Sequence, residues 1–261
     1  MSIAPALALT MKRKTIRDVA SLSERYCREN LSSPYFQKDS LERDWWNGLR
    51  LFLNHSFFQG RRDEVSEKVE VAAMPVLNRY FEGHDANLLT HMDYRGLETD
   101  LGAVIGKGKV GKARDIKMLV SIFEFIAALS EKNLTLYSVR KVQQGNLADH
   151  YRELQGIRQI GPKITSFYLR DLVCIYELDG FVQQNDLEYL QPVDVWVKKV
   201  AQRLGIIPVD KCSDGEARSR IIEMCRQCDV SPLKFNQGAW YLGKNAFEIL
   251  ICQLDKIDLS F

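Results

Sequence analysis

The stretch Gly156-Ile-Arg-Gln-Ile-Gly-Pro-Lys163 separates two segments that are patterned as helices. Its two glycines favour a tight turn, and Pro162 suits the first position of a helix, where its missing N–H is harmless. Residues 146–155 are predicted to form a short helix before the turn. The pattern therefore indicates a helix-hairpin-helix over about residues 146–175, with Lys163 in the first turn of the second helix.

Helical periodicity extends outward from this hairpin in both directions. Apolar residues recur at spacings of three and four in segments such as 16–26 and 45–53, while strand-like alternation is scarce. The polar, acidic and poorly periodic segment 176–191 is predicted to cross between two subdomains. Asp194 is then expected to cap a helix that has Gly205 just beyond its end. The sequence predicts an all-α protein of about ten helices.

Composition excludes several classes of protein. The 261 residues are 46% hydrophobic with a net charge of +2, and no apolar run approaches the roughly 20 residues of a membrane span. A secretory signal has basic residues before its apolar region, and the N-terminal apolar patch of this sequence has none before it. We expect a cytoplasmic, nucleoid-associated protein without a membrane partner.

Cysteine and histidine usage points to no metal. Six scattered cysteines are too few for a disulfide framework in a chain of this length, and they are expected to be reduced. The single C-x-x-C of Cys225 and Cys228 is weak support for a metal site, and the four histidines form no ligand pattern. We expect no cofactor.

The sequence Gly106-Lys-Gly-Lys-Val-Gly-Lys-Ala113 is open to more than one interpretation. A nucleotide-binding loop would need a preceding strand, for which only residues 101–105 are available, and a P-loop would need Ser or Thr where Ala113 stands. The alternative is a basic turn at a helix start. This turn and the start of the helix contain a single acid, Asp115, and five basic residues: Lys107, Lys109, Lys112, Arg114 and Lys117. The basic residues would attract phosphates or remain solvated.

Lys163 and Asp194 each admit a structural and a chemical role. A lysine in a first helical turn can hold a phosphate, or, when partly desolvated, can have a lowered pKa and act as a nucleophile. Asp194 can cap its helix, and a carboxylate held at a positive helix end can also stabilise a cationic sugar.

The motif Ile157-x-x-Ile-Gly-x-Lys163, followed by Pro192-Val-Asp194, resembles the helix-hairpin-helix DNA glycosylases with the Gly/Pro-Asp signature. The separation of the lysine and the aspartate is similar to that in the archaeal-type 8-oxoguanine DNA glycosylases. Residues 49–60 and 231–243 resemble the same group, so the likeness spans most of residues 45–245.

The resemblance implies a bifunctional DNA glycosylase and abasic-site lyase acting as a monomer on double-stranded DNA with a damaged base. The expected lesion is an oxidised purine, 8-oxoguanine, flipped out of the duplex. Lys163 would form a Schiff base at C1′, and Asp194 would stabilise charge on the sugar. The DNA-binding residues would be Gly156, Ile157, Gln159, Gly161, Lys107, Lys109 and Lys112, and the base-pocket residues Asn236 and Trp240. Gln159 stands where the superfamily has its first hairpin glycine.

The resemblance also implies two helical subdomains with the hairpin at the cleft between them. Residues 44–190 would form a helical-barrel subdomain carrying the hairpin, and residues 1–43 with 191–261 a second one carrying Asp194. Two other functions stay open from the residues alone. One is a non-catalytic helix-hairpin-helix DNA-binding module, and the other is a nucleotide-dependent enzyme that uses residues 106–112.

Overall fold

The computed structural model describes residues 3–58, 62–106, 108–209 and 211–254 of the chain. Every regular element in this part of the chain is helical, which confirms the predicted all-α class. The α-helices are α1 Ile3–Ser21, α2 Ser23–Asn30, α3 Lys38–Arg43, α4 Trp45–Ser56, α5 Asp63–Phe81, α6 Tyr94–Ile105, α7 Ala113–Ala128, α8 Leu134–Gln143, α9 Leu147–Gln155, α10 Pro162–Tyr176, α11 Val195–Arg203, α12 Asp214–Gln227 and α13 Pro232–Leu254.

The described helices outnumber the prediction of about ten, because short ones such as α3 contain too few residues to show a period. Four 3₁₀ helices, at Pro34–Phe36, Ala86–Thr90, Asp179–Phe181 and Gln184–Leu190, connect the longer elements. None of the helices in the described ranges combines the length and the apolar character that crossing a membrane requires.

The chain divides into two compact units. The first unit comprises Met1–Ser32 and Leu190–Phe261, and the second comprises Ser33–Tyr189. The division expected from the sequence lies at 43/44 and 190/191. The first boundary differs because α3 packs against α4 and α8, so the segment after Ser32 belongs to the second unit.

Helix α13 is the centre of the first unit, with α1, α2, α11 and α12 packed around it. Two glycines make this packing possible. A Cβ at Gly238 would lie 1.8 Å from the Val19 carbonyl oxygen of α1, and one at Gly243 would lie 2.7 Å from Cβ of Trp196 in α11. Both helices therefore approach α13 more closely than any side chain at these positions would permit.

Helices α4 and α10 are the centre of the second unit. Helix α4 contacts α3, α8 and α10, and α10 also contacts α8 and α9, while α5, α6 and α7 pack in succession. The Phe52 ring meets Tyr168 edge-on at 4.9 Å between centroids, and Phe81 stacks on Phe123 at 4.1 Å. The hairpin formed by α9 and α10 thus packs on these aromatic side chains.

Candidate functional site

The predicted hairpin helices are confirmed as α9 and α10. Helix α9 ends at Gln155 and is followed by Gly156 as its C-cap, and Gly161 is the N-cap of α10, whose first residue is Pro162. Ile157 and Ile160 are buried beneath the turn, where the N–H of Ile160 donates to the carbonyl of Ile157 at 3.1 Å. These two side chains anchor the turn. The N–H groups in the first turn of α10 have no carbonyl within the helix to bind, as at any helix start.

Gln159 forms the tip of this turn in the left-handed region, with a φ of +65°. Its side chain is exposed. A residue with a Cβ is strained in this conformation, whereas glycine is not. The turn therefore has, at Gln159, a backbone conformation that glycine would adopt without strain.

Lys163 lies in the first turn of α10 and is half-buried. Its amine forms no hydrogen bond or ion pair with any of the residues that the structure describes. A cation beside the positive end of a helix is unfavourable without an anion nearby. The position therefore suits either a phosphate contact or a nucleophilic amine.

The hairpin turn is attached to α7. The backbone N–H of Arg158 donates to the Ser121 hydroxyl at 3.2 Å. Lys117 lies four residues before Ser121 and Arg114 three residues before that, so all three occupy one face of α7. Both cations are exposed. The hairpin turn and the basic start of α7 thus belong to one surface.

The glycine-rich segment before α7 is a turn between two helices. Residues 101–105 belong to α6, so the strand that a nucleotide-binding loop would need is a helix. A Cβ at Gly111 would lie 2.7 Å from the Ile105 carbonyl oxygen. The buried carboxylate of Asp115 accepts the Lys112 N–H at 2.7 Å, which fixes the start of α7.

The exposed lysines of this turn are Lys109 and Lys112, and their exposure suits either a solvated or a phosphate-binding role. Lys107 lies outside the described residues. Because Asp115 is turned inward, the exposed face of the turn and of the first helical turn carries positive charge without an acid.

A buried polar network braces the first helix of the hairpin. The Nδ1 of His150 lies 3.1 Å from Glu153 Oε2, and its Nε2 lies 2.8 Å from Ser138 Oγ. Tyr168 of α10 donates its hydroxyl to the same Ser138 oxygen at 3.0 Å. The network therefore ties α8, α9 and α10 together.

The titration of this network follows from its burial. Burial lowers the pKa of His150 to about 4, although Glu153 opposes the shift. Burial also opposes ionisation of Glu153, but hydrogen bonds from Lys141, His150 and Tyr137 outweigh that effect and lower the pKa of Glu153. His150 is therefore neutral at pH 7, and the geometry fits Nδ1–H donating to Glu153.

Sequence reasoning missed a charged cluster on α10, about two turns after Lys163. Arg170 and Asp171 are fully buried, with an Arg170 nitrogen 2.8 Å from Asp171 Oδ1, and His55 Nε2 lies 3.2 Å from Asp171 Oδ2. Phe167, one turn after Lys163, stacks on His55. The signal was a charged pair within an otherwise apolar stretch of helix, since buried charges require partners.

Asp194 begins α11 as predicted. Its Oδ1 accepts the N–H groups of Trp196 at 3.0 Å and Val197 at 2.9 Å, so the carboxylate caps the helix. Gly205 has a φ of +60° just after the end of α11, as its predicted place requires. Lys163 belongs to the second unit and Asp194 to the first.

The two predicted base-pocket residues lie on α13 in the first unit. Asn236 is fully buried and donates its Nδ2 to the Pro192 carbonyl at 3.1 Å, two residues before Asp194. Trp240 is half-buried, meets the Tyr26 ring edge-on at 5.5 Å, and has the Lys244 amine 4.8 Å from its ring centroid. Asn236 therefore holds the segment that leads to Asp194.

Gln191, which sequence reasoning did not single out, lies in the same segment. It is fully buried, and neither polar atom of its side-chain amide has a hydrogen-bond partner among the described residues. Such an orphaned buried amide is uncommon and costly.

Cysteines contribute to the core of the first unit. Cys225 and Cys228 are buried among apolar residues, and burial raises the pKa of the Cys225 thiol. Within the described ranges, no group of three or more His, Cys, Asp or Glu side chains is placed to hold a metal ion.

No family model matches the chain, and no solved structure matches it. An uncharacterized protein of Methanocaldococcus jannaschii is 38% identical over 72 residues, which is 28% of this chain. The matched region spans only 16% of that relative's length.

Proposed function

We propose that the protein is a DNA glycosylase and abasic-site lyase that removes an oxidised purine, with 8-oxoguanine as the first candidate. The observation that carries this proposal is the half-buried Lys163 amine, which has no hydrogen-bond or ion-pair partner in the described part of the chain, in the first turn of a hairpin helix. An amine that is not held by a carboxylate keeps its lone pair accessible after losing one proton.

In the proposed reaction, the neutral Lys163 amine attacks C1′ of an extruded nucleotide and the bond from C1′ to the base breaks. The base leaves with the electron pair and takes up a proton. Opening of the sugar ring gives a Schiff base, and loss of a proton from C2′ then expels the 3′ phosphate. Asp194 supplies the negative charge that stabilises the cationic sugar, as preorganised charges do in other enzymes.

The DNA backbone is proposed to bind along the hairpin and α7. Backbone N–H groups at the start of α10 suit phosphate oxygens, and they do not depend on base sequence. Arg114 and Lys117 extend this surface through the contact between Arg158 and Ser121. The proposed partner is duplex DNA, bound by a monomer inside the cell.

A panel of duplex oligonucleotides tests this function. Each duplex carries one lesion opposite each of the four bases, and both base release and strand cleavage are measured. The proposal expects release of at least one oxidised purine with cleavage on the 3′ side. Binding to every duplex with no base released from any would instead favour the second candidate, a non-catalytic DNA-binding module, which the partner-free Lys163 and the cations of α7 also suit.

A further inference from the structure

Helix α10 carries Lys163, Phe167 and Asp171 at spacings of four residues, so their side chains follow one another along one side of the helix. Side chains on a helix lean toward its N-terminus, and the Phe167 ring is therefore directed toward the turn that carries Lys163. The ring of His55, from α4, stacks on Phe167 with 6.0 Å between the centroids and 15° between the planes. His55 is thus brought toward the start of α10.

The two ring nitrogens of His55 have different surroundings. Nε2 is buried and lies 3.2 Å from Oδ2 of Asp171, close enough for an ion pair but without forming a hydrogen bond. Nδ1 has no hydrogen bond to any residue that the structure describes. The side chain is 10% exposed. Because a buried polar atom nearly always has a partner, an imidazole left in this state beside a buried carboxylate indicates a functional role.

Asp171, the carboxylate that faces His55, is itself fixed by Arg170. Both side chains are fully buried, and the Arg170 Nε and Nη2 atoms lie 2.9 Å and 2.8 Å from Oδ1 of Asp171. The guanidinium also lies 4.9 Å from the Phe167 ring centroid. A buried carboxylate held in this way orients an imidazole and stabilises the imidazolium that forms when the ring takes up a proton.

We propose that His55 is the general base that removes a proton from Lys163 during Schiff-base formation. This inference rests on the proposed function and deepens it. Attack joins Nζ of Lys163 to C1′ and leaves one proton too many on that nitrogen. Nδ1 of His55 accepts this proton, and the Nζ lone pair then forms the Schiff base as the bond from C1′ to O4′ breaks. O4′ keeps the electron pair and takes up a proton from solvent, and the imidazolium releases its own proton to solvent.

A base within the protein is needed because Lys163 is half-buried, and a nucleotide extruded onto it would exclude water. Imidazole suits this step, since it is the side-chain group that most readily accepts and releases protons near neutral pH. Arg170 already neutralises Asp171, so the pair does not retain the imidazolium permanently. A role in packing alone is the other interpretation of His55, and the experiment separates the two.

The experiment removes the imidazole and then supplies it from solution. Single-turnover borohydride trapping is measured with full-length His55→Ala and a duplex containing an abasic site, so the result does not depend on which base is released. The trapping rate is expected to fall about 10²-fold, as when a general base is lost, while affinity for the duplex is unchanged. Free imidazole is expected to restore the rate about tenfold. Pyrazole, a ring of the same size and a much weaker base, should not.

Two further variants complete this experiment. His55→Gln keeps an amide donor toward Asp171 but accepts no proton, and it is used if circular dichroism shows that His55→Ala is unfolded. It is expected to be as slow as His55→Ala. His91→Ala changes an exposed histidine of the same unit and should trap at the unsubstituted rate.

The proposal would be overturned by unsubstituted trapping rates in His55→Ala or His55→Gln, by a loss that follows weaker DNA binding, or by rescue with both compounds alike or with neither. Equal rescue would mean that the ring only fills space. Failure of the proposed function is a different result: no adduct in the unsubstituted protein, or an equal adduct in Lys163→Gln. An adduct that requires Lys163 but not His55 defeats this inference alone.

Discussion

The backbone N–H of Arg158, at the hairpin turn, donates to the hydroxyl of Ser121 on α7 at 3.2 Å. This contact places the hairpin beside a helix whose first turns carry Arg114 and Lys117, both exposed. The Asp115 carboxylate, which would weaken their field, is buried and bound to the Lys112 N–H. The two features that suggest phosphate binding are therefore parts of one surface in the second unit.

Removing Lys117 is expected to weaken binding to all DNA sequences alike. A lysine that neutralises one phosphate adds about 0.9 to the slope of log K against log salt. Lys117→Gln is therefore expected to lower affinity several-fold at low salt and to reduce that slope by about 1. Fluorescence anisotropy at four or more salt concentrations measures both quantities.

Lys68→Gln is the matched control, because Lys68 is an exposed lysine on α5 of the same unit. It removes the same charge from the chain and should leave the slope unchanged. A slope that falls equally in both variants would show that only net charge matters, and the assigned surface would be wrong.

Gln159→Gly is expected to stabilise the protein. A residue with a Cβ is destabilised by about 1–2 kcal/mol in the left-handed region. Glycine avoids this strain, but it loses roughly 0.5–1 kcal/mol more backbone entropy on folding. The net gain at φ +65° should be up to about 1 kcal/mol in the free energy of unfolding, measured by urea denaturation. Arg158→Gly, next to it without a positive φ, should lose stability, and a loss in both variants would contradict the assigned turn.

Two substitutions of Asp194 separate its structural role from its chemical role. Asparagine also caps helices well, so Asp194→Asn is expected to keep the bonds to Trp196 and Val197 with little loss of stability. Asp194→Ala should lose about 1 kcal/mol. Under the proposed function, the rate of base release is expected to fall by about 10²–10³-fold in both variants. If Asp194→Asn still releases the base at the unsubstituted rate, Asp194 acts only as a helix cap and the proposed chemical role is wrong.

The stability of the hairpin is expected to depend on pH through His150. Its pKa is about 4 in the folded protein and 6.5 as the reference value, so the unfolded chain binds more protons between these values. The contribution of His150 to the free energy of unfolding is therefore complete above about pH 6.5 and is lost as the pH falls toward 4. The loss is up to about 3 kcal/mol at 1.36 kcal/mol for each pKa unit.

Urea denaturation at several pH values between 7.5 and 4.5 measures this contribution. His150→Asn should be less stable at pH 7.5 and should show a shallower decline below pH 6.5 than the unsubstituted protein. His91→Asn changes an exposed histidine of the same unit and should keep the full decline. Parallel curves for the unsubstituted protein and His150→Asn would assign the pH dependence to other groups.

Much of the local structure could be predicted because it depends on near neighbours in sequence. Pro162 and Gly161 mark the start of α10, and Asp194 marks the start of α11, through effects that act within one helical turn. The contact of His55 with Asp171 could not be predicted, because the two residues come from different helices. The sequence marks only Arg170 and Asp171, as charges within an apolar stretch, and does not show which residue they meet.

Trapping of the Schiff base with borohydride tests the central claim most directly. The unsubstituted protein, mixed with a duplex containing 8-oxoguanine or an abasic site, is expected to give a covalent protein–DNA adduct on denaturing gels. The adduct is expected to vanish in Lys163→Gln and to persist in Lys68→Gln. An adduct of equal yield in Lys163→Gln, or none with any lesion in the unsubstituted protein, would contradict the account.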